Sequence, residues 1–548
     1  MNRPEEIFLA AINDIKKQDY FNAEIKLKKA YQILPDNLAV IVNLSSSLQQ
    51  NLKLEEADFY INKGLRLYPK SYDLLLNKTG ILTKQKKLLE VIKILEEIKI
   101  FEPNRPEAYF NLSRTYINFN EYVKSFENIK EAVRLTKNPK YFSFLLFSYN
   151  FHPYYSDKIY KQYSDEFRKS LTPINKGYLK ITKYQKGAEI KLGFLGSDIQ
   201  DDHPVGYFLN NFLEKIKTRY KIYSYFNNYA EKENFIRIKS LFHEWRNVRT
   251  KSDNELINLI KEDGIHILID VNGHTDNNRL PIYINRVAPI QMTWAACLNS
   301  TGIPEIDYII GDPIVTPLDS QEKFAEKILQ MPDVWACFSK PEYKDLQINK
   351  ITPAIKNKFV TFGNLNISIK ITQEVIRVFT EILSIVPNSK IIFAGKNFGI
   401  AEFKKNFIKN FTDLNISEER IIIHDPLPRK QLLELYNEID ICLDTFPYGG
   451  GTTSFESAYM GVPLLTLKGD TFLHNCGSSI NNNLDMKEWI TLSRDEYIKK
   501  AFEFSSNIEK LNKTRSELHE KAIGSPLFDA NKFALNFDEK IKTILAKL

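Results

Sequence analysis

Prolines recur at a nearly constant interval in the first quarter of this 548-residue chain, at Pro35, Pro69, Pro103 and Pro139. Successive prolines are 34, 34 and 36 residues apart, and they follow amphipathic segments at residues 26–34, 58–68, 91–102 and 125–137. Small or apolar residues keep the same phase, at Ala23, Ala57, Ala30, Gly64, Ile98 and Ala132. A period of 34 with a helix-ending proline is typical of tetratricopeptide repeats. The pattern therefore predicts an all-α solenoid over residues 1–150.

One helix pair of such an array cannot bury its apolar face alone, so the units must stack. The alternative interpretation is a helical bundle without repeats. Stacked pairs leave a concave groove that suits an extended peptide, and three to four repeats fit the available length. Residues 151–185 are predicted to form a connector with one helix over residues 157–171.

The rest of the chain alternates short β-rich runs with helical segments, which predicts parallel sheets that bind ligands at the carboxyl ends of their strands. The first half, residues 186–345, has predicted strands at 191–195, 221–226, 265–269 and 308–310 and a helix at 254–261. The second half, residues 346–548, has predicted strands at 359–362, 390–394, 420–424, 441–443 and 463–467. Its predicted helices are 372–385, 430–439, 453–460 and 529–545, the last crossing back onto the first half. We expect an α/β fold in which two Rossmann-like halves face a cleft.

A glycine-rich turn at residues 444–463 follows the apolar run 441–443. Glycines let the backbone turn sharply and approach a ligand closely. Thr452 and Thr453 come next as predicted cap residues of an amphipathic helix. The unpaired N–H groups and positive end of that helix would form a phosphate site from backbone. Glu456, one turn further in, is within reach of a ribose diol.

Composition excludes several classes of protein. The net charge of +7 is mild, and Lys and Arg are interleaved with Asp and Glu, so no nucleic-acid partner is expected. The four cysteines lack paired or zinc-binding spacing, which fits free thiols in a reducing cytoplasm. The sequence shows no signal peptide and no apolar run of membrane-spanning length. Abundant Lys, Ile and Asn suggest an AT-rich bacterial genome.

Several motifs occur together and in order, at residues 203–207, 270–275, 288–294, 306–308, 359–366, 370, 386–389 and 444–463. From about residue 186 to the C-terminus the chain resembles the O-GlcNAc transferase/Spindly family of glycosyltransferases. The resemblance implies a GT-B fold, a nucleotide-sugar donor as co-substrate, inversion at the anomeric carbon, and no required cofactor or metal. A repeat array beside a transferase suggests a protein acceptor, with flagellin plausible only by analogy with some bacterial relatives. The sequence does not indicate the oligomeric state.

The predicted catalytic residues are His203 and Lys370. His203 follows the first strand and precedes Pro204 at a helix start, where its ring could accept a proton or bind the donor phosphate. A fixed ammonium at Lys370 would stabilise the charge that builds on a departing nucleoside diphosphate. The general base remains open between His203, His274 and a donor phosphate oxygen.

Further site residues fall into two predicted groups. The donor-binding group comprises Gly450, Gly451, Thr452, Thr453, Glu456, His424, His474 and Asn475. The group on the acceptor and sugar side comprises Asn272, Gly273, His274 and Asn299.

Three departures from the family pattern affect the donor. Leu432 stands where much of the family has a nucleotide-contacting histidine, residues 296–302 differ from the usual sugar-contacting segment, and Ile367 replaces a polar residue. UDP-GlcNAc is the expected donor, and GDP-fucose, used by Spindly, is the alternative. Two further alternatives are a repeat-array scaffold with a decayed transferase half and an enzyme that modifies a small molecule or glycan.

Overall fold

The structure, a computed structural model, describes residues 3–174, 187–228 and 235–547 and divides into two compact units, Met1–Tyr141 and Phe142–Leu548. The first unit contains eight helices within the described residues, each packed against the next. They are α1 Pro4–Lys16, α2 Tyr20–Ile33, α3 Leu38–Gln50, α4 Leu54–Leu67, α5 Tyr72–Lys84, α6 Leu88–Phe101, α7 Pro106–Ile117 and α8 Tyr122–Thr136.

The predicted helical repeats are confirmed, and the in-phase small residues lie where successive helices touch. Ala30, Ile98 and Ala132 are completely buried. A Cβ atom on Gly64 would lie only 2.7 Å from the Leu74 side chain and 2.9 Å from that of Ile41. A larger residue there would force neighbouring helices apart, which explains why the repeat keeps small residues at this phase.

The turns inside the repeats share a backbone feature that the sequence does not reveal. Gln18, Leu52, Lys86 and Asn120 are also spaced by 34 residues, and all four have left-handed φ angles of 61–62°. None is a glycine, and of the four only Asn120 belongs to a residue type that favours this conformation, so composition gives little signal for it.

The prediction that every periodic proline ends a helix is wrong at the last position. Pro139 is the first residue of α9 (Pro139–Tyr149), and α8 ends before it at Thr136. Proline suits the first position of a helix because its missing N–H would have no partner there.

The second unit continues with α10 (Asp157–Ser170) and a parallel seven-stranded sheet of order β3-β2-β1-β4-β5-β6-β7. The strands are β1 Lys191–Gly196, β2 Lys221–Phe226, β3 Glu244–Asn247, β4 Ile267–Asp270, β5 Ile290–Thr293, β6 Tyr308–Gly311 and β7 Lys327–Gln330. The helices are α11 Pro204–Ile216, α12 Ile236–Ser240 and α13 Asp253–Glu262. β1 pairs in parallel with both β2 and β4, so the chain changes direction across the sheet at β1.

A second parallel sheet has six strands in the order β10-β9-β8-β11-β12-β13. The strands are β8 Val360–Asn364, β9 Ser389–Ala394, β10 Ile421–His424, β11 Ile441–Leu443, β12 Leu464–Leu467 and β13 Ile490–Thr491. The helices are α14 Pro353–Asn357, α15 Gln373–Ile385, α16 Ala401–Thr412, α17 Arg429–Leu435, α18 Thr452–Tyr459, α19 Phe472–Asn483, α20 Arg494–Ser506, α21 Ile508–Ile523 and α22 Ala530–Leu545. Two parallel sheets with covering helices confirm the predicted fold class.

The last helix packs on the first half of this unit. Phe533 and Phe537 of α22 hold the ring of Phe212 in edge-to-face contacts at 5.5 and 5.1 Å. The Tyr220 hydroxyl donates a hydrogen bond to Asp538. Among the described residues, no helix has the length and apolar character needed to cross a membrane.

The predicted helix 430–439 is wrong at its end, because α17 stops at Leu435 and a 3-10 turn, Tyr436–Glu438, follows. The buried guanidinium of Arg515 donates hydrogen bonds to the carbonyls of Tyr436 and Ile439. These external bonds satisfy carbonyl groups at the helix end and allow the tighter turn.

Candidate functional site

A cavity of about 650 Å³ lies in the second unit, and loops from both sheets line it. Many of its lining residues lie in the loops just after the carboxyl ends of strands, as expected for parallel sheets. The first sheet contributes Ser197 and Asp198 after β1, Thr275–Asn277 after β4, and Ala295, Ala296 and Leu298 after β5. The second sheet contributes 365–367 and Lys370 after β8, 394–396 after β9, Pro426 and Leu427 after β10, and Tyr448 and 451–453 after β11.

The glycine-rich turn after β11 is held by the buried carboxylate of Asp444. Its oxygens accept hydrogen bonds from the N–H groups of Thr445 and Gly450 and from the Thr466 hydroxyl on the neighbouring strand. A Cβ on Gly450 would lie 2.4 Å from the Ser454 hydroxyl, so a larger residue would force that hydroxyl to move. The Gly450 N–H therefore serves the turn itself.

Helix α18 begins immediately after the turn. The N-cap residue is Gly451, and neither threonine caps the helix as predicted. The Thr453 hydroxyl instead donates to the Asn366 side chain at 2.8 Å. Gly451, Thr452 and Thr453 line the cavity, where the first N–H groups of the helix have no preceding turn to bind. The arrangement provides backbone donors and a positive helix end for an anion.

Lys370 brings a cationic group to the same place. Its side chain is buried, its Nζ donates a hydrogen bond to the Gly449 carbonyl at 2.8 Å, and it lies 4.1 Å from the centre of the Tyr448 ring. Burial lowers the pKa of Lys370 to about 8, while the nearby Cys476 and Asp444 act in the opposite direction. The ammonium is therefore fixed beside the turn, and an incoming anion would favour its charged form.

His203, the N-cap of α11, lines the same cavity. Its Nδ1 accepts a hydrogen bond from the Val205 N–H at 3.3 Å, so in the neutral ring the hydrogen is on Nε2. Gly206 makes this loop possible, because a Cβ there would lie 1.7 Å from the Gln200 carbonyl oxygen. This geometry suits His203 as a donor to a phosphate oxygen better than as a proton acceptor.

Glu456 lies in the cavity wall beneath Arg429. The two side chains form an ion pair at 2.5 Å, and the guanidinium stacks 3.6 Å from the centre of the Tyr207 ring. Glu456 is almost fully buried, and burial raises the pKa of its carboxyl group whereas Arg429 opposes that shift. The predicted ribose ligand thus has a cationic partner that the sequence analysis did not identify.

The predicted residues after β4 have other partners. The Asn272 side chain is buried and bonds the Ser197 N–H, the Ser197 and Thr275 hydroxyls and the Asp276 carbonyl. Gly273 has φ +54°, and its N–H binds Asp270. His274 lies 3.1 Å from both the Ser143 hydroxyl and the Thr301 carbonyl, and burial lowers its pKa to about 3. None of the three is among the cavity-lining residues in the described part of the chain.

Four more predicted residues lie outside the described cavity lining, namely Asn299, His424, His474 and Asn475. Asn299 donates to the Asn150 side chain and the Tyr155 hydroxyl. Asn475 forms two hydrogen bonds with the backbone of Gly469. Burial lowers the pKa of His474 to about 4, so its ring is neutral near pH 7. Their roles in donor or acceptor binding remain predictions.

The cavity is also lined by residues that the sequence analysis did not name as site residues, including Tyr207, Asn366, Lys396, Arg429 and Tyr448. A signal was available for Asn366 and Lys396, because both follow the carboxyl end of a predicted strand. The departures Ala296, Leu298, Ile367 and Leu432 all line the cavity. They therefore change the surface that a donor would contact. Within the described ranges, no three His, Cys, Asp or Glu side chains converge as metal ligands.

Comparison with known proteins identifies the family. The model of glycosyl transferase family 41 matches residues 171–340 and 344–537. The chain is 32% identical to the probable UDP-N-acetylglucosamine–peptide N-acetylglucosaminyltransferase SPINDLY of Petunia hybrida, over 65% of this chain and 38% of that protein. It is 33% identical to the protein of the same name from Solanum lycopersicum, over 70% and 41% of the respective chains. The chain thus spans about two fifths of the length of these plant relatives.

A solved structure shares the whole fold. A mutant of the Thermobaculum terrenum O-GlcNAc transferase superposes with a TM-score of 0.80 at 23% identity, covering 100% of this chain and 99% of the other. The chain belongs to glycosyl transferase family 41, which confirms the resemblance seen in the motifs, and its architecture is that of a GT-B transferase preceded by helical repeats.

Proposed function

We propose that this protein is a glycosyltransferase that moves N-acetylglucosamine from UDP-GlcNAc to Ser or Thr hydroxyls of a protein. The observation that carries the proposal is the convergence of the Lys370 ammonium and the first turn of α18 in one cavity. Both favour a diphosphate, and both belong to a chain of family 41. The names of the plant relatives supply the sugar and the peptide acceptor.

The proposed reaction is a single in-line displacement with inversion. The acceptor oxygen bonds to the anomeric carbon while the bond from that carbon to the diphosphate oxygen breaks. Negative charge grows on the leaving group, and Lys370 stabilises it more in the transition state than in the ground state. Backbone N–H groups at Gly451 and Thr452 would hold the same diphosphate, and His203 would donate to it from Nε2.

The acceptor hydroxyl must also lose its proton. Both histidine candidates are poorly placed as bases, because the Nδ1 lone pair of His203 is engaged by Val205 and His274 is buried between Ser143 and Thr301. We therefore favour a donor phosphate oxygen as the group that accepts the proton. This choice needs no further titratable side chain at the reacting centre.

A ligand panel tests the donor. Melting temperatures would be measured with UDP-GlcNAc, UDP-glucose, UDP and GDP-fucose, since ligands that bind the native state raise its stability. UDP-GlcNAc and UDP should stabilise the protein, and Glu456→Gln should reduce the effect of both. Stabilisation by GDP-fucose alone would replace the proposed donor with the alternative sugar, and no response to any of the four would favour a scaffold.

A truncation tests the acceptor. Removing residues 1–140 should abolish transfer to protein while slow donor hydrolysis continues, because we assign acceptor binding to the repeats. Circular dichroism and UDP binding would verify that the truncated protein is folded. If the folded truncate modified proteins at the full rate, the repeats would have another role.

A further inference from the structure

One aromatic residue outside the two sheets contacts the glycine-rich turn. Phe151 lies between α9 and α10, is 2% exposed, and stacks on the Tyr448 ring with centroids 4.8 Å apart and planes 23° from parallel. The Lys370 ammonium lies 4.1 Å from the centre of the same ring. The Tyr448 ring therefore contacts both the Phe151 ring and the Lys370 ammonium.

The backbone of the turn is fixed separately. The Thr445 hydroxyl donates to the Tyr448 carbonyl at 2.7 Å, and the neighbouring Gly449 carbonyl accepts from Lys370. These bonds place the peptide groups but leave rotation of the Tyr448 side chain unrestrained. Among the described residues, Phe151 supplies the aromatic ring that stacks on the Tyr448 side chain.

Lys370 needs this ring because burial disfavours its charge. The groups that oppose the loss of hydration are the Gly449 carbonyl and Asp444 on the turn, Cys476 on α19 and the ring of Tyr448. Asp444 is already shared with Thr445, Gly450 and Thr466, and Cys476 is a buried thiol whose own pKa is raised above its usual range by burial. A cation over an aromatic face is stabilised by the negative charge of the ring centre, more so when water is excluded.

We infer that Phe151 is a positioning residue for Lys370, which acts by stacking on Tyr448 and holding the ring against which the ammonium rests. The role of Lys370 in transfer rests on the proposed function, whereas its positioning by Phe151 does not. The connector between the repeats and the sheets would then contribute to the charge of the diphosphate site without touching a substrate.

The test measures the pKa of Lys370 in the full-length protein without ligand. Lysine labelled with ¹³C at the ε-carbon would be titrated by NMR, and the signal of Lys370 identified by its loss in Lys370→Arg. Phe151→Leu should lower that pKa by roughly half a unit to one unit, the range of a partly lost cation–π contact. Phe151→Tyr keeps an aromatic ring at this position and should leave the pKa of Lys370 at its value in the unmodified protein. Phe147→Leu is the matched control, because Phe147 packs edge-on against Phe151 at 5.3 Å.

A double-mutant cycle separates positioning from general packing. Tyr448→Leu should lower the pKa of Lys370 at least as much, and Phe151→Leu should add nothing in that background. Phe151→Met replaces the leucine variant if the latter does not fold. An unchanged pKa in the folded Phe151 variants, or an equal shift in Phe147→Leu, would overturn the inference.

Activity supplies an independent readout. Because the ammonium is the active form, the fall of kcat/KM on the basic side should move to lower pH in Phe151→Leu by the same amount. If the NMR shift occurs but no sugar is transferred even by the unmodified protein, the proposed function fails while the positioning stands. If transfer is observed and the titration does not move, the positioning fails alone.

Discussion

The turns after β4 and β11 are built on one plan and end differently. Each begins with a fully buried aspartate, Asp270 or Asp444, that accepts from a glycine N–H further along the turn. Each aspartate also accepts from a threonine hydroxyl on the next strand of its sheet, Thr293 or Thr466. The same arrangement of an aspartate, a glycine N–H and a threonine hydroxyl thus closes the turn at the carboxyl end of both strands.

The two turns differ in what the polar residues after the aspartate contact. After β11 the chain enters α18, and the first residues of that helix line the cavity. After β4, Asn272 and His274 turn inward to Ser197, Ser143 and Thr301. A motif therefore marks where two elements meet, and only the contacts tell whether its side chains bind a ligand or hold the turn.

Lys370→Ala should have the largest effect on the β11 side of this comparison. Loss of one fixed charge-stabilising donor costs on the order of 10²–10³ in turnover, so we expect at least a hundredfold loss, with a much smaller loss of donor binding. Steady-state transfer and donor affinity would be measured together. Lys396→Ala removes another cavity lysine and is the control. Turnover within threefold of the unmodified enzyme would exclude Lys370 as the charge stabiliser.

Alanine at the two turn glycines should separate binding from stability. Gly450→Ala forces the Thr453 and Ser454 hydroxyls to move, and should weaken donor binding about tenfold, the equivalent of one lost hydrogen bond. Gly273→Ala strains a left-handed residue against Cys297, and should cost about 1–3 kcal/mol of unfolding free energy with donor binding kept. Calorimetric titration and urea unfolding distinguish them. If both variants lost donor affinity equally, the turn after β11 could not be distinguished from the turn after β4 by its role in donor binding.

His274→Gln tests whether the β4 side is structural through its pH dependence. The pKa of His274 is lowered to about 3 in the folded protein, whereas an unfolded histidine titrates near 6.5. The unfolded state binds the extra proton, so this contribution is fully present above about pH 6.5 and is lost as the pH falls toward 3. The unmodified protein should lose up to about 1.4 kcal/mol more per pH unit than His274→Gln in that window. Parallel pH profiles would show that His274 becomes charged in the folded state.

Chelation should have the smallest effect. The expected diphosphate contacts are the turn of α18, Lys370 and His203, which already supply positive charge, so activity should survive EDTA with little loss. The assay would compare initial rates in EDTA and in added Mg²⁺ or Mn²⁺. Loss on chelation with recovery on adding either metal would mean that these residues do not hold the diphosphate alone.

Buried apolar strands were the most predictable part of the fold. β2 and β11 match their predicted bounds, β1, β9 and β10 differ by one residue at one end, and β8 differs by one residue at its start and two at its end. β5 was missed although it is central, because Gln291 and Thr293 interrupt its apolar run while being fully buried and hydrogen bonded. β3, β7 and β13 lie at or near sheet edges and carry exposed or polar residues.

The parts of the site formed by backbone groups were predictable from the sequence. The parts that depend on contacts between side chains distant in the sequence were not. Glycine spacing located the turn and the start of α18, and the family resemblance singled out Lys370, whose charge suits a departing diphosphate. Arg429 gave no signal of its own, since its partners Glu456 and Tyr207 come from distant parts of the chain. The same long-range pairing placed His274 and Asn299 away from the cavity.

The free-energy cost of the left-handed backbone differs among the turns of the repeats. Asparagine adopts this backbone readily, whereas a bulky residue such as leucine does so at a cost of about 1–2 kcal/mol. The same turn is therefore relaxed at Asn120 and strained at Leu52, although their φ angles agree within one degree. Since each repeat touches only its neighbours, such a cost stays local. The four turns therefore share one φ angle but differ in the conformational cost of holding it.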